Sequence, residues 1–489
     1  MLFAQWILCL IFILRKPWTE YLKNLLASVV IRLLFTLKNS TIEAIIVVKI
    51  VKKTKKLKKL RLKPYLFITV YRLLFLPILL CVLPYYLLRM RKRGGYGKHF
   101  LNRFGWLPKS KQPSPVWIQA VSVGEIESLR PILVELKQQN IPVYLTTTTS
   151  TAFRIIEKKY ASLVDTFGYF PLDSWLFSAI AWRRIRPKAV LLTESELWPE
   201  HLFQAKRHST PVYLINGRLS DRTFLRYQRF LPIAHTLFGF LTKIFAASHA
   251  DAERFRALCP KNIPIIQAGN LKIDAAVQSA TSVSFISRKG WGAQWNNATV
   301  LLGASTWPGE EKMLIEFFLK ARKEFPHLRL ILVPRHIERT HEVKTLLQTY
   351  PVTFCLRTQP TQNVDIYVVN TTGELRSFLP TADLVFIGKS FPPHYGGQTP
   401  IEAAVFGKPM VYGSHMENFV DICTDLEHLH AAVRCADVEH LEQQLLFWLK
   451  HPENAVSCGQ AARQWVHTHL GAVKAIMDDL FSQSNASLK

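Results

Sequence analysis

One carboxylate stands where an apolar strand should turn into a helix. Residues 116–120 are rich in strand-forming types, Gly124 allows a tight turn, and Glu125 opens a run of apolar residues at helical spacing. Open α/β sheets bind ligands at the carboxyl ends of their strands, which is where this pattern places Glu125. A carboxylate at the entrance to a cleft can remove a proton, so Glu125 is the first candidate general base.

The same short segment also allows a purely structural interpretation. Ser122 and Glu125 have the spacing of a capping box, in which the two side chains satisfy free amides at the start of a helix. Local sequence does not separate a helix cap from a base, so both interpretations stay open at this point.

Two more charged clusters follow predicted strands in the first half of the chain. Residues 193–196 place Glu194 and Glu196 directly after an apolar run, either as charges at a helix N-terminus or as carboxylates facing a cleft. Residues 269–274 end the first series of strands with Lys272, which is either solvated or a cation at a hinge.

The second half of the chain offers groups suited to a nucleotide. Arg335 follows an apolar run, residues 330–333, and a guanidinium presents a fork of charged donors that matches a phosphate. The pair Gly396 and Gly397 precedes a helix start whose amides could face a phosphate, and Glu402 could accept ribose hydroxyls. A plain turn is the alternative for such a glycine pair.

Several classes of site find no support in the sequence. It contains no Walker A motif, and no G-x-G-x-x-G follows a predicted strand, which argues against P-loop ATPases and NAD-dependent enzymes. The seven cysteines are scattered and include no C-x-x-C, which argues against a disulfide framework or a zinc site and indicates a reducing compartment. We expect neither a metal nor a cofactor.

Short apolar runs alternate with longer amphipathic ones from residue 112 onward. The alternation predicts α/β architecture with parallel, doubly wound sheets, and its interruption at residues 275–298 predicts two such domains joined by a linker. Two such domains facing a cleft suit a transferase that holds a nucleotide in one half and an acceptor in the other. The predicted strands are residues 116–120, 142–147, 189–193, 211–215, 244–247, 264–268, 299–303, 329–333, 353–356, 365–369, 383–387 and 409–412.

The positive charge is concentrated near the N-terminus. The 489-residue chain has a formal net charge of +27, and residues 1–111 carry 23 Lys and Arg against two acids, Glu20 and Glu43. Basic residues that flank apolar segments suit an anionic lipid surface better than nucleic acid, and no nucleic-acid-binding motif is present. We expect a membrane lipid surface as a partner and no nucleic acid.

Residues 66–88 form the best membrane segment and are long enough to span a bilayer. Arg72, Pro77 and Pro84 interrupt this segment, and both of its flanks are basic. The positive-inside rule places the downstream domains in the cytoplasm. Either the segment lies in the interface as a monotopic anchor, or an earlier apolar run also enters the bilayer.

The predicted organisation has five parts. They are an extension of unassigned role at residues 1–64, a membrane anchor at 65–93, a first α/β domain at 94–274, a linker at 275–298 and a second α/β domain at 299–489.

Seven ordered motifs carry a resemblance that covers residues 65 to about 475. Together they resemble the 3-deoxy-D-manno-octulosonic acid (Kdo) transferases of lipopolysaccharide and lipid A assembly. The motifs are SVGE at 122–125, TESELWPE at 193–200, NGRLSDR at 216–222, GNLKID at 269–274, GASTWPGEE at 303–311, PRHIER at 334–339 and GGQTPIEAA at 396–404.

The resemblance implies a two-domain glycosyltransferase of the GT-B class. Such an enzyme moves Kdo, in one or more successive transfers, from CMP-Kdo to the lipid A precursor lipid IVA by metal-independent inverting transfer on the cytoplasmic side of the inner membrane. The resemblance also implies that the first α/β domain is acceptor-binding and contains the base, and that the second is nucleotide-binding. Glu125 resembles the family's catalytic base, and Glu194 and Lys272 resemble residues that stabilise the transition state. The implied CMP contacts are Pro334, Arg335, Thr372, Gly373, Glu374, Thr399, Pro400, Ile401 and Glu402.

The chain departs from the family pattern at Glu200 and within residues 398–402, where many members have His-Asn-Pro-Leu-Glu. Thr399 and Glu200 each stand where many members have Asn, and the first of these changes an expected nucleotide contact. Two alternatives remain: a GT-B transferase that uses a different nucleotide sugar on a lipid acceptor, and a membrane-anchored binding protein without catalysis.

Overall fold

A computed structural model describes residues 64–92, 97–281 and 284–482 of the chain. Within these ranges the chain forms two compact units: one runs to Leu271 and resumes at Gly471, and the other runs from Lys272 to Leu470. The predicted extension at residues 1–64 lies almost wholly outside the described residues.

The first unit is built on a sheet of seven parallel strands in the order β3-β2-β1-β4-β5-β6-β7. The strands are β1 Val116–Gln119, β2 Val143–Thr147, β3 Thr166–Tyr169, β4 Ala189–Thr193, β5 Val212–Gly217, β6 Lys243–Ala246 and β7 Ile265–Gln267. The helices of this unit are α1 Pro64–Lys92, α2 Val123–Gln138, α3 Ser150–Ile155, α4 Trp175–Ile185, α5 Pro199–Arg207, α6 Asp221–Arg229, α7 Leu231–Phe238 and α8 His249–Leu258.

The second unit repeats this plan with seven parallel strands in the order β10-β11-β9-β8-β12-β13-β14. The strands are β8 Thr299–Thr306, β9 Leu328–Pro334, β10 Phe354–Leu356, β11 Ile366–Val368, β12 Leu384–Ile387, β13 Met410–Tyr412 and β14 Val433–Arg434. The helices from here to the C-terminus are α9 Leu271–Thr281, α10 Ala293–Asn296, α11 Glu310–Ala321, α12 Thr340–Gln348, α13 Leu375–Phe378, α14 Ile401–Val405, α15 Val420–His428, α16 Val438–Lys450, α17 Pro452–His469 and α18 Ala472–Ser482.

Both sheets reverse their strand order at one point. The reversal falls between β1 and β4 in the first unit and between β8 and β12 in the second. Crossover helices leave such a point toward opposite faces of the sheet, which opens a crevice at the carboxyl ends of the two strands. All four residues of β1 are buried, as expected for a parallel strand covered on both faces. The predicted pair of doubly wound parallel sheets is confirmed.

Each of the twelve predicted strands corresponds to an observed strand, but β3 and β14 were not predicted. β3 is a four-residue edge strand that contains Gly168, and β14 has only two residues. Neither carries enough apolar side chains to stand out from a loop, so only pairing with a neighbouring strand defines them.

The division of the chain differs from the sequence prediction at both ends of the second unit. The second unit begins at Lys272, inside α9. Because α9 continues to Thr281, residues 275–281 are helical and belong to the second unit rather than to a linker. The last helix, α18, belongs to the first unit, where Ile476 and Met477 join the core formed around α2. An apolar helix face shows in sequence, but which core it joins does not.

The apolar helix α1 is joined to the rest of the first unit by polar side chains as well as by apolar packing. Arg72 donates from Nε and Nη2 to the two carboxylate oxygens of Glu200, each at 2.8 Å, and the Glu200 side chain is fully buried. The Tyr71 hydroxyl donates to Asp173 at 2.7 Å. The arginine that interrupts the apolar run is therefore the partner of a buried acid. By length and composition alone, Pro64–Cys81, with a mean hydropathy of 1.8, could also cross a membrane.

Candidate active site

The first turn of α2 brings Glu125 to the reversal point of the first sheet. Ser122 is the N-cap of this helix, and its hydroxyl oxygen accepts a hydrogen bond from the Glu125 amide at 3.3 Å. Of the two hydrogen bonds expected in a capping box, the one from the Glu125 amide to the Ser122 side chain is therefore present. It does not account for where the Glu125 carboxylate lies.

Three donors hold the Glu125 carboxylate, and one of them comes from another strand. The Val121 amide donates to Oε2 and the Ser122 hydroxyl donates to Oε1, both at 2.9 Å. The Thr193 hydroxyl, at the carboxyl end of β4, donates to Oε2. The side chain thus bridges the two strands that flank the reversal point, and the residue is only 7% exposed. A capping box alone would not include the contact with β4.

Two further acids surround this carboxylate. Burial raises the pKa of Glu125, as does the charge of Glu194, and the three hydrogen bonds oppose this rise. Burial, followed by the charges of Glu125 and Glu194, raises the pKa of Glu196 to about 8. A carboxylate with a raised pKa is a stronger proton acceptor at neutral pH, so the cluster has the electrostatics of a general-base site.

Glu194 holds its place at the strand end through an uncommon backbone conformation. Its φ angle is 55°, in the left-handed region that few residues other than glycine adopt. The backbone amide of Glu194 donates to the Ile215 carbonyl at 3.1 Å, and its own carbonyl accepts from the Arg218 amide at 3.2 Å. These bonds to the end of β5 maintain the conformation, which keeps the chain from entering a helix at this point.

Lys272 lies in the first turn of α9, half-buried, and is the first residue of the second unit. The start of the helix is fixed by Asn216 at the end of β5, whose side-chain oxygen accepts the Leu271 amide at 3.1 Å. The structure thus brings Glu125, Glu194 and Glu196 together within one unit, whereas a role for Lys272 beside them stays a prediction.

In the second unit, Pro334 ends β9, and Arg335 follows it at the carboxyl edge of the sheet. Arg335 is exposed, and its guanidinium forms no ion pair with any residue that the structure describes. Arg339, four residues later, is instead bound by Glu311 and Glu342 at 2.8 Å each. Of the two arginines in this motif, only Arg335 is available to an anionic ligand.

The predicted contacts at 372–374 lie on the turn that precedes α13. Thr372 and Gly373 are exposed, and Gly373 has a φ of 85°, which suits glycine. The Glu374 carboxylate is bound by Arg357, with the shortest contacts at 3.2 Å, and by the Thr371 hydroxyl. The structure therefore offers backbone and hydroxyl groups here, together with an acid that already has partners.

The glycine pair precedes α14, as predicted. Gly396 has a φ of 98°, and a Cβ at this position would collide with the side chain of Asn418. Thr399 accepts the Ile401 amide at 3.3 Å, so its hydroxyl helps to start the helix, and Pro400 is the N-cap. Glu402 follows in the first turn, where Arg376 binds it at 2.7 Å. The second unit thus places residues 399–402 on one short turn.

Sequence reasoning did not single out three further residues of these regions, namely Thr193 for its hydroxyl, Arg376 and Lys389. Glu196 was considered only as one of two acids that either mark a helix N-terminus or face a cleft. Lys389 follows β12, its Nζ lies 5.0 Å from the centroid of the Trp307 ring, and its amide donates to Glu310 at 2.8 Å. The rule that ligands meet strand ends could have identified Lys389, since β12 was predicted.

Comparison with known proteins identifies the family. Residues 98–275 match the family described as 3-Deoxy-D-manno-octulosonic-acid transferase (kdotransferase). A 3-deoxy-D-manno-octulosonic acid transferase of Bordetella pertussis is 30% identical over 413 residues, which cover 80% of this chain and 94% of the relative. One from Haemophilus influenzae is 26% identical over 410 residues, which cover 82% of this chain and 94% of the relative.

A solved structure supports the fold alone. A putative UDP-N-acetylglucosamine 2-epimerase from Listeria monocytogenes aligns with a TM-score of 0.52 at 13% identity, over 76% of this chain and 99% of its own. The family match covers the unit that contains Glu125, and the relatives extend over both units. The chain therefore belongs to the 3-deoxy-D-manno-octulosonic acid transferase family, and it is a glycosyltransferase.

Proposed function

We propose that this enzyme transfers Kdo from CMP-Kdo to a hydroxyl group of a lipid A precursor, with Glu125 as the general base. The observation that carries the proposal is the Glu125 carboxylate itself. It bridges β1 and β4 at the reversal point, and its pKa is raised by burial and by Glu194. Kdo is proposed as the transferred sugar because the chain belongs to the Kdo transferase family. The lipid acceptor is the one that the motif resemblance implies.

The reaction is a displacement at the anomeric carbon of Kdo. The acceptor hydroxyl oxygen forms a bond to this carbon while the bond from the carbon to the phosphate oxygen breaks. The proton of the hydroxyl group moves to Glu125, and CMP leaves with the bonding electrons. Attack from the face opposite the leaving group inverts the anomeric centre. Because CMP-Kdo is already activated, the residues need only position the reactants, accept a proton and stabilise charge.

The donor is assigned to the second unit on the basis of Arg335. An exposed arginine without an acidic partner at a strand end can pair with the nucleotide phosphate, and the charge that develops on the departing CMP strengthens that contact. Residues 372–374 and 399–402 provide the nearby backbone and side-chain groups. Glu194 and Lys272 keep their proposed role in stabilising the transition state.

The first unit carries a surface that suits the membrane in which such an acceptor resides. The helix α7 packs against α1, and exposed apolar side chains lie on α1 and around α6 beside arginines. These residues are Leu66, Leu73, Leu80, Leu225 and Phe230, with Arg222 and Arg229. Apolar side chains beside cations favour the interface of an anionic bilayer. Because Arg72 binds the buried Glu200, we propose that α1 lies in this interface as a monotopic anchor on the cytoplasmic face of the inner membrane.

The function is tested by incubating the purified chain with CMP-Kdo and lipid IVA. We expect release of CMP together with lipid products heavier by one or more Kdo residues, as measured by mass spectrometry. The matched control replaces CMP-Kdo with UDP-linked sugars, which should give no product. Transfer from a UDP-sugar, or CMP binding without any transfer, would instead favour a different GT-B transferase or a non-catalytic binding protein.

The anchor is tested on a chain that begins at Pro64, because removal of α1 would leave Glu200 buried without its cation. We expect this chain to bind vesicles that contain phosphatidylglycerol. Leu73→Ser combined with Leu80→Ser should weaken binding while Arg72 continues to hold the helix in place. The matched control is Val456→Ser, at an exposed apolar position of the second unit. Equal vesicle binding by both variants would place the anchor elsewhere.

A further inference from the structure

The two acids in the predicted nucleotide region are held in different ways. Arg357 reaches both oxygens of Glu374, at 3.2 Å to Oε1 and 3.2 Å to Oε2, and the Thr371 hydroxyl also donates to Oε2. Both oxygens of Glu374 therefore already have protein donors. This leaves Glu374 with little capacity to accept further hydrogen bonds from a ligand.

Glu402 is held from one side only. Arg376 donates to its Oε1 from Nε at 2.9 Å and lies at 2.7 Å from the same oxygen through Nη2. No residue in the described part of the chain donates a hydrogen bond to Oε2. The Glu402 side chain is still 17% exposed, so a ligand can reach it. One oxygen is thus fixed by the protein, and the other is open as an acceptor.

The position of this open oxygen follows from the elements that carry it. Arg376 lies on α13, directly after residues 372–374, and Glu402 lies on α14, directly after the glycine pair. The ion pair therefore joins the two segments that are expected to hold the nucleotide. A guanidinium that binds through two nitrogen atoms restricts the carboxylate to few orientations, which a single lysine nitrogen would do less well.

We propose that Arg376 is a positioning residue that fixes Glu402 Oε1 so that Oε2 accepts hydrogen bonds from the ribose hydroxyls of the cytidine nucleotide. This inference rests on the proposed function, since it takes CMP-Kdo as the donor. It also selects between the two acids, because Glu374 has no open oxygen for the same task. Arg376 itself need not touch the nucleotide.

The test measures binding of CMP and of 2′,3′-dideoxy-CMP to the full-length protein by calorimetry. The wild type should prefer CMP by about 10- to 150-fold, the range expected for a hydrogen bond to a charged group. Arg376→Met should bind CMP more weakly and the dideoxy nucleotide unchanged, so that the ratio approaches one. Arg376→Lys, which keeps the charge, should recover part of the preference.

Arg357→Met is the matched control, because it removes the same kind of ion pair from Glu374. Its CMP to dideoxy-CMP ratio should equal that of the wild type. The inference is overturned if Arg376→Met weakens both nucleotides equally, or if the ratio changes in Arg357→Met instead. A wild type that binds CMP with no preference for the ribose hydroxyls would overturn this inference and leave the proposed donor intact. A wild type that binds neither nucleotide would overturn both.

Discussion

The reversal points of the two sheets carry a glutamate in the same place and hold it differently. Glu125 and Glu310 each lie in the first turn of the helix that follows the first strand of their sheet. Glu125 receives two hydroxyls and one amide, with other acids beside it. Glu310 receives the backbone amides of Trp307, Lys389 and Ser390, at 2.8, 2.8 and 2.9 Å.

The difference shows how one topology supports two tasks. Burial raises the pKa of Glu310, as it does that of Glu125, but here only backbone amides oppose the rise, and they tie the end of β8 to the end of β12. Cations, Arg335 and Lys389, then lie at this edge of the sheet. At the other reversal point, the charge of Glu194 adds to the effect of burial on the pKa of Glu125, and this carboxylate can accept a proton. One edge is suited to binding an anion, and the other to proton transfer.

The largest expected effect is at Glu125. Glu125→Gln keeps the shape of the side chain but cannot accept a proton, so turnover should fall by roughly 10²–10⁴-fold. Melting temperature and CMP affinity should change little, because Gln can also serve at this position of a helix cap. Steady-state kinetics with CMP-Kdo and lipid IVA provide the measurement. Near wild-type turnover would reduce Glu125 to a helix cap and make Glu194 or Glu196 the next candidate.

The next largest effect is expected on CMP binding, and it distinguishes Arg335 from Arg339, the two arginines that follow β9. Arg335→Ala should weaken CMP binding by about 10- to 150-fold, through loss of a charge-assisted hydrogen bond. Arg339→Ala is the control, since it removes the partner of the buried Glu311 and should lower the melting temperature without changing the CMP affinity of folded protein. Calorimetry and thermal unfolding distinguish the two. Unchanged CMP affinity in a folded Arg335→Ala protein would contradict the assignment.

Glu310→Gln tests whether the second glutamate is a structural brace. The amide group of Gln places a donor against backbone donors, so we expect a loss of about 1–3 kcal/mol in the stability of this unit. Hydrogen exchange should accelerate at the amides of Lys389 and Ser390, whereas turnover per folded molecule should stay close to wild type. A turnover loss like that of Glu125→Gln, with exchange unchanged, would show that the two glutamates do not differ as proposed.

The smallest effect is a pH dependence at Glu196. Its folded pKa, about 8, lies above the ordinary value, so its contribution to stability is fully present below the unfolded pKa and is lost as pH rises through about 8. Gln has no carboxyl group that titrates, so Glu196→Gln lacks this pH dependence. The melting temperature of the wild type should therefore fall relative to the variant between pH 6 and pH 9. A difference that is constant over this range would show that Glu196 does not titrate there.

The sequence by itself determined the α/β class, the strand-to-helix turns and the chemistry at strand ends. Short apolar runs predicted twelve strands, because strands of a parallel sheet are covered on both faces and are therefore mostly apolar. The edge strands β3 and β14 escaped notice, since short pairings depend on a neighbour rather than on their own composition. The motif SVGE similarly placed Glu125 at a helix start without showing what its carboxylate contacts.

Only the tertiary structure decided which distant groups meet. Thr193 is 68 residues from Glu125, and their hydrogen bond depends on β1 and β4 being neighbours. Arg72 appeared in sequence as a defect in an apolar segment, and Glu200 as a departure from the family pattern, yet each is the partner of the other. Ion pairs and pKa shifts depend on distance and burial, and these quantities are fixed by how strands and helices pack rather than by spacing along the chain.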